Sequence, residues 1–345
     1  MQCPCRTTGA AEVSQGVRCC CACCPPSGAP PRPPRCANFC GAAMVLKKRL
    51  VVAQGFPWRI HGLSVEDACK RAAQHRDLDC VEIFSGVGAI RAAAEAVGCR
   101  TASFDKRSDP RQDILDPAGF QIALSLVLRL RPNGLLWLAP MCDSFSWLCL
   151  RTTKRNRANA YTGDKASMKV QHGNLGARAA AFLLTVAWCF GVSVLFENPV
   201  GSRMWPYLSM AGGLVVQEGV HVVCHRCAYD RAPRGERLFK RYKLFCTEPW
   251  GKALCSKCPC GKGAGHRLSS RRKVEGQIVR TTGRKASLEE SGRYPAALGV
   301  AVVAAWRRAA APSELDSDLG LLSAEDSCRE SDGESGSDSE NLLSE

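Results

Sequence analysis

The stretch VEIFSGVGA, residues 81–89, decides the reading of the fold. Its first four residues predict a buried strand, Gly86 and Gly88 a tight turn, and the alanine-rich run 89–97 a helix that Gly98 stops. The same alternation continues outward. TASFD predicts a second strand ending at Asp105, and Asp116 and Pro117 supply the N-cap and first-turn proline of a helix running to about Arg131. LLWLA predicts a third strand, which gives way to Pro140. After a long polar loop, Asn174 is placed to cap a helix through Phe190, and VSVLF predicts a fourth strand ending at Glu197. On the amino-terminal side, Ser64, Val65, Glu66 and Asp67 read as a capping box opening a helix to about His75. Strands and helices alternating in this way predict an α/β domain of Rossmann-like type, with a mostly parallel, twisted sheet and helices on both faces.

The polar residues fall in one place on that plan. Gly86, Asp105, Cys142 and Glu197 all lie at or just past the carboxyl ends of predicted strands, the rim where open α/β sheets bind ligands. Gly86 and Gly88 let the backbone approach a ligand closely, and the helix that follows favours a carboxylate at its start, although a Gly-x-Gly turn alone also suits a dinucleotide or no ligand at all. Asp105 is placed to accept hydrogen bonds from ribose hydroxyls, and Asp113 to meet an adenine amino group. In PMCDSFS, residues 140–146, a cysteine directly after an apolar strand is offered at the sheet edge, where a thiol acts as a nucleophile if a base or a cation activates it. In FENP, residues 196–199, a desolvated Glu197 would hold a proton near neutral pH and serve as an acid toward a ring nitrogen.

Composition sets the partner class. The chain of 345 residues carries a formal charge of +15, yet residues 312–345 hold eleven acids against Arg329 alone, so the rest carries about +25. A basic body with an acidic tail points to a polyanion, DNA or RNA. The loop after Cys142 offers a phosphate-facing clamp in Arg151, Lys154, Arg155, Arg157, Lys165 and Lys169. The 22 cysteines do not suggest a secreted disulfide framework: the chain is long, and Cys80, Cys99, Cys149 and Cys189 sit in apolar segments as small hydrophobes, which places the protein in a reducing compartment. No signal peptide is expected, and no segment reaches the roughly 18 apolar residues a membrane span needs. Residues 1–46, rich in cysteine and proline, and 312–345 read as disordered ends around a domain spanning 47–311.

Taken together, the motifs resemble those of the cytosine-C5 DNA methyltransferases. PMCDSFS is similar to their Pro-Pro-Cys-Gln-Gly-Phe-Ser, EIFSGVG to their Asp-Leu-Phe-Ser-Gly-x-Gly cofactor loop, and ENP to their Glu-Asn-Val, in the same order and at similar spacing. YPAALGVAVVAAW resembles the helix that returns to close the cofactor pocket, and HRCAYDRAPRGERLFKRYKLF, from His225, resembles a phage-like Cys-x-Tyr-Gly variant. Met141, Asp143 and Pro199 depart from the family pattern, and Asp230 and Tyr242 stand where the variant has glycine and threonine.

The resemblance implies a methyltransferase domain that uses S-adenosylmethionine, held by Phe84, Gly86, Gly88, Asp105, Asp113 and Pro140. Cys142 is implied as the nucleophile on a flipped-out cytosine and Glu197 as the group at its N3, with Asn198 beside the base. Arg237, Lys240 or Arg241 would meet the cytosine O2 or the phosphates. A DNA substrate implies the nucleus. An RNA cytosine methyltransferase of the same fold, or a silent nucleic-acid-binding module, are the alternatives. Residues 225–294 would form a small basic recognition segment, in which Cys255, Cys258, Cys260 and His266 have ligand-like spacing for zinc, the competing reading being a basic glycine-rich loop.

Overall fold

The computed structural model describes residues 75–211, 219–233, 236–260, 266 and 289–310, together with the backbone of 271–275 and 278–282. The helix expected from Ser64, the Cys/Pro-rich run 1–46 and the acidic tail 312–345 lie outside the described residues.

The sheet is the α/β architecture that the alternation predicts. Six strands, β1 (Leu78–Ile83), β2 (Thr101–Phe104), β3 (Leu130–Leu138), β4 (Ser193–Pro199), β5 (Val220–His225) and β6 (Arg241–Cys246), stand in the order β2-β1-β3-β4-β6-β5. The first four run parallel, and β6 is antiparallel to both of its neighbours. The helices are α1 (Ala89–Glu95), α2 (Pro117–Leu128), a short α3 (Leu150–Thr153), α4 (Met168–Cys189), α5 (Met204–Ala211) and α6 (Ala296–Ala310). A separate antiparallel ribbon joins β7 (Arg271–Glu275) to β8 (Ile278–Thr282).

Period-two alternation splits the core between the two faces. Leu136, Leu138, Val194 and Phe196 pack with α2, α4 and α5, while Leu135, Trp137 and Leu195 pack with α1 and α6. Residues 135–138 are all fully buried, the mark of a central strand covered on both sides. At roughly 1.5–3 kcal/mol for each large apolar side chain buried, this strand is a main source of the sheet's stability.

Besides the start of β3 at Leu130, inside the expected end of the helix before it, two points differ from the sequence reading. Asp116 caps α2 as expected, accepting from the Ala118 and Gly119 N–H groups at 2.8 and 3.1 Å. The long helix α4, however, starts at Met168, and Asn174 lies inside it, its side chain turned to Arg155 and to the Thr162 carbonyl. The second difference is β6. The basic run ending RYKLF is inserted into the main sheet beside β4, so it does not belong to a separate recognition segment. A lone strand preceded by charged residues lacks the helix alternation that made the other strands legible.

Candidate active site

The turn after β1 takes the shape its glycines allow. Phe84, Gly86 and Gly88 all have positive φ, at 60°, 55° and 69°. Gly88 closes the turn by donating to the Ser85 carbonyl at 2.8 Å and stands as the N-cap of α1 without any side-chain cap. A left-handed φ is routine for glycine but costs Phe84 about 1–3 kcal/mol, strain of the kind concentrated at ligand sites. Nothing lies within 4 Å of where a Cβ would stand on Gly86, so its backbone is open to a ligand. Asp105, at the end of β2, braces this turn: its Oδ2 accepts the Gly86 N–H at 2.8 Å and its Oδ1 the Arg107 N–H at 2.8 Å. A carboxylate has lone pairs for further donors after two such bonds. Asp113 caps its own turn at the Leu115 N–H and faces Lys106 at 3.5 Å.

Glu82 is a site residue that the sequence reading passed over. It points from β1 toward the α1 side of the sheet, is fully buried, and its Oε2 accepts the Arg91 N–H of α1 at 2.8 Å. Burial pushes its carboxyl up to about 7, against the opposing pull of the Arg91 and Ile90 N–H groups. The available signal was a charge within the apolar run VEIF.

Past β3, the chain turns through Pro140 and Met141 to Cys142, which is half-buried and precedes a single 3-10 turn, Asp143–Phe145. Glu197, Lys240 and Tyr294 lie close enough to this cysteine to interact with it electrostatically. Glu197 is buried on β4, and the Tyr294 hydroxyl donates a short hydrogen bond to its Oε2. Its Oε1 is buried and has no hydrogen-bond partner among the described residues. Lys240 donates to the Ser291 carbonyl at 2.9 Å and lies 5.0 Å from the Tyr242 ring. Burial raises the Cys142 thiol above its ordinary value; Lys240 opposes this, while Glu197 and Asp143 add to it. Burial likewise raises Glu197, against Lys240 and the Tyr294 hydroxyl. Cys142 and Glu197 therefore sense one another and share one cation. Tyr294, pinned between Trp137 and Tyr242 at 5.4 Å from each ring, comes from the segment leading into α6, and sequence reading did not single it out.

Of the three basic residues left open above, Lys240 is the one at this centre. Arg237 turns back to the Ala232 and Cys227 carbonyls at 2.7 and 3.2 Å, and Arg241 is exposed on β6. Two expected nucleic-acid contacts are corrected. Arg155 is 3% exposed, not phosphate-facing: its guanidinium bonds the Ser144 carbonyl (2.8 Å) and hydroxyl (3.0 Å), the Tyr161 carbonyl (2.7 Å) and Asn174 Oδ1 (2.7 Å). It also stacks 3.7 Å from the Phe145 ring centre, and burial lowers it to about 10. Asn198 is fully buried and its amide is committed to the Pro140 carbonyl at 3.0 Å, tying the end of β4 to the end of β3. Both side chains position the Cys142 turn. Gly173 completes the seat, because a Cβ there would collide with Ser144 Oγ. Arg151, Lys154, Arg157, Lys165 and Lys169 remain exposed on the loop and the start of α4, with Lys154 paired to Asp164 at 2.8 Å and Lys169 facing Asp143 at 3.6 Å.

Neither a protein-family profile nor a curated protein matches the sequence. Among solved structures, a methyltransferase from Entamoeba histolytica is similar over 50% of this chain and 54% of its own, at 11% identity and a TM-score of 0.31. The chain thus spans about half the length of that protein, and a likeness this faint has no bearing on substrate or mechanism. Among the described residues no helix is long and apolar enough to cross a membrane.

Proposed function

We propose that this protein methylates C5 of cytosine in DNA, with S-adenosylmethionine as donor and Cys142 as nucleophile. The observation that carries the reading is the electrostatic coupling of a half-buried thiol, Cys142, to a buried carboxyl, Glu197, one oxygen of which has no partner among the described residues. Both stand at the rim that also holds the open glycine turn. The donor supplies an electrophilic methyl group. Its amino-acid end would lie against the backbone of Phe84, Gly86 and Gly88 at the uncapped start of α1, its ribose would meet Asp105, and Asp113 and Pro140 would line the remainder.

The residues then divide the work on the pyrimidine. Lys240 favours the thiolate of Cys142. The thiolate adds to C6 and breaks the C5–C6 double bond, and Glu197, whose burial favours its protonated form, donates to N3 so that the ring can carry the displaced electrons. Tyr294 fixes the carboxyl by its hydrogen bond. C5 forms the new bond to the methyl carbon as that carbon's bond to the donor sulfur breaks, releasing S-adenosylhomocysteine; N3 gives its proton back to Glu197, the C5 proton leaves to solvent, the electron pair restores the C5–C6 double bond, and the C6–S bond breaks to return the thiolate. Reaching the ring in a duplex requires extruding the base, and Arg151, Arg157 and Lys165 are exposed beside the cysteine turn to grip the backbone. A DNA substrate carries the nucleus with it as the expected compartment.

The test is labelled methyl transfer to unmethylated duplex DNA and to tRNA, followed by nucleoside analysis. Expected are 5-methylcytosine from DNA, no measurable transfer by Cys142→Ala, and retained donor binding by that variant. Full transfer by Cys142→Ala contradicts the mechanism, methylation of tRNA alone assigns the same fold to RNA, and no transfer to either nucleic acid leaves a silent binding module.

A further inference from the structure

Zinc-like spacing in the sequence offered Cys255, Cys258, Cys260 and His266, but the fold assembles a different four. Cys227, Cys258, Cys260 and His266 place one ligand atom each within 4.8 Å of one another. Cys227 comes from the 3-10 turn directly after β5, more than thirty residues upstream of its companions. The meeting has a backbone cause. Ser256 pairs with edge strand β5: its N–H donates to the Val223 carbonyl at 3.3 Å, and its own carbonyl accepts the His225 N–H at 3.2 Å. That pairing carries Cys258 and Cys260 back over the end of β5, where Cys227 begins the return to β6. Cys255, the residue spacing favoured, is engaged in a disulfide instead.

We propose that Cys227, Cys258, Cys260 and His266 form a structural zinc site. Three sulfurs and one imidazole make a ligand set that zinc prefers, and tetrahedral zinc–sulfur bonds separate the sulfurs by roughly 3.8 Å. The distance of 3.4 Å between Cys258 Sγ and His266 Nε2 suits two ligands of one ion. The three thiols are free, Cys227 and Cys260 are buried, and no pair among them is oxidised. The surroundings suit a thiolate-rich centre: Arg237 places a guanidinium nitrogen 3.9 Å from Cys260 Sγ, and Phe239 packs its ring against His266 at 5.5 Å. Four protein ligands leave no open position, so the ion holds structure and does not activate water.

What it holds is the back of the candidate active site. Arg226, next to Cys227, donates to the Tyr242 hydroxyl at 3.2 Å and to the Arg293 carbonyl, beside the tyrosine that fixes Glu197. The site stands on its own ligands and does not depend on the reaction proposed above.

Zinc per chain is measured in the full-length protein after dialysis, for the wild type, Cys227→Ser, Cys258→Ser and Cys255→Ser. The proposal expects Cys227→Ser and Cys258→Ser each to lose one equivalent that Cys255→Ser retains, even if the cysteine-rich amino-terminal run adds zinc of its own. Unchanged zinc in Cys227→Ser, or a zinc-free wild type after refolding with zinc, overturns it. Because the serine variants can fail for lack of folding, Cys227→His, which keeps a ligand, is loaded with cobalt. Tetrahedral d–d bands with weaker thiolate charge transfer than wild type support the site, and a spectrum identical to wild type refutes it.

Discussion

The turns after β1 and β3 leave adjacent parallel strands at one rim, yet they are held by opposite means. The first is fixed by backbone conformation: three positive φ angles, a closing bond to Ser85, and one brace from Asp105, 19 residues from Gly86. The second has ordinary backbone angles and is fixed by side chains 11 to 58 residues away, Arg155 from the following loop and Asn198 from the next strand. A turn made of its own sequence can stay open to a ligand. A turn assembled from distant side chains can hold one residue in one place.

The contrast breaks most visibly at Arg155. Arg155→Met removes the guanidinium that donates to both the carbonyl and the hydroxyl of Ser144 and leaves buried acceptors without donors. It is expected to cost about 3–5 kcal/mol in denaturant unfolding, the range for deleting one partner of a buried charged network. A loss below about 1 kcal/mol would mean the cysteine turn holds itself.

On the other turn, the expected change has the opposite sign. Glu82 carries a folded-state pKa of about 7 because burial disfavours its charge, against 4.5 unperturbed. Stability associated with the neutral carboxyl is therefore full below pH 4.5 and is lost as pH rises through 7. Glu82→Gln still accepts the Arg91 N–H but never ionises, so at pH 8 it should be more stable than wild type by about 2–3 kcal/mol, and equal to it at pH 4. Thermal unfolding at the two pH values reads this directly, and equal stability at pH 8 would mean the carboxylate is solvated.

The same contrast explains what the sequence makes legible. Strands β1 to β4, helices α1 and α2, and the rim positions of Gly86, Cys142 and Glu197 follow from local pattern, because apolar periodicity, caps and glycines act over a few residues. The start of α4 does not: Asn174 has the chemistry of a cap, and only the fold reveals that it answers Arg155. Arg155 itself is a basic residue among basic residues, and nothing local distinguishes a buried guanidinium from one facing solvent. Lys240, Tyr294 and Cys227 reach their sites through the β5–β6 insertion and the chain leading into α6, pairings set by tertiary contact. The cysteine spacing near 255 picked out Cys255 where the fold brings Cys227 to the cluster, for the same reason.

The central claim is that Cys142 forms a bond to the ring. It is tested most directly by incubating the protein and S-adenosylmethionine with duplex DNA containing 5-fluorocytosine, whose C5 fluorine cannot leave as a cation, and resolving the products under denaturing conditions. The account predicts a protein–DNA adduct with the DNA fragment mapped to Cys142, and no adduct from Cys142→Ser. An adduct that survives this substitution, or methylated DNA released with no adduct at all, would contradict it.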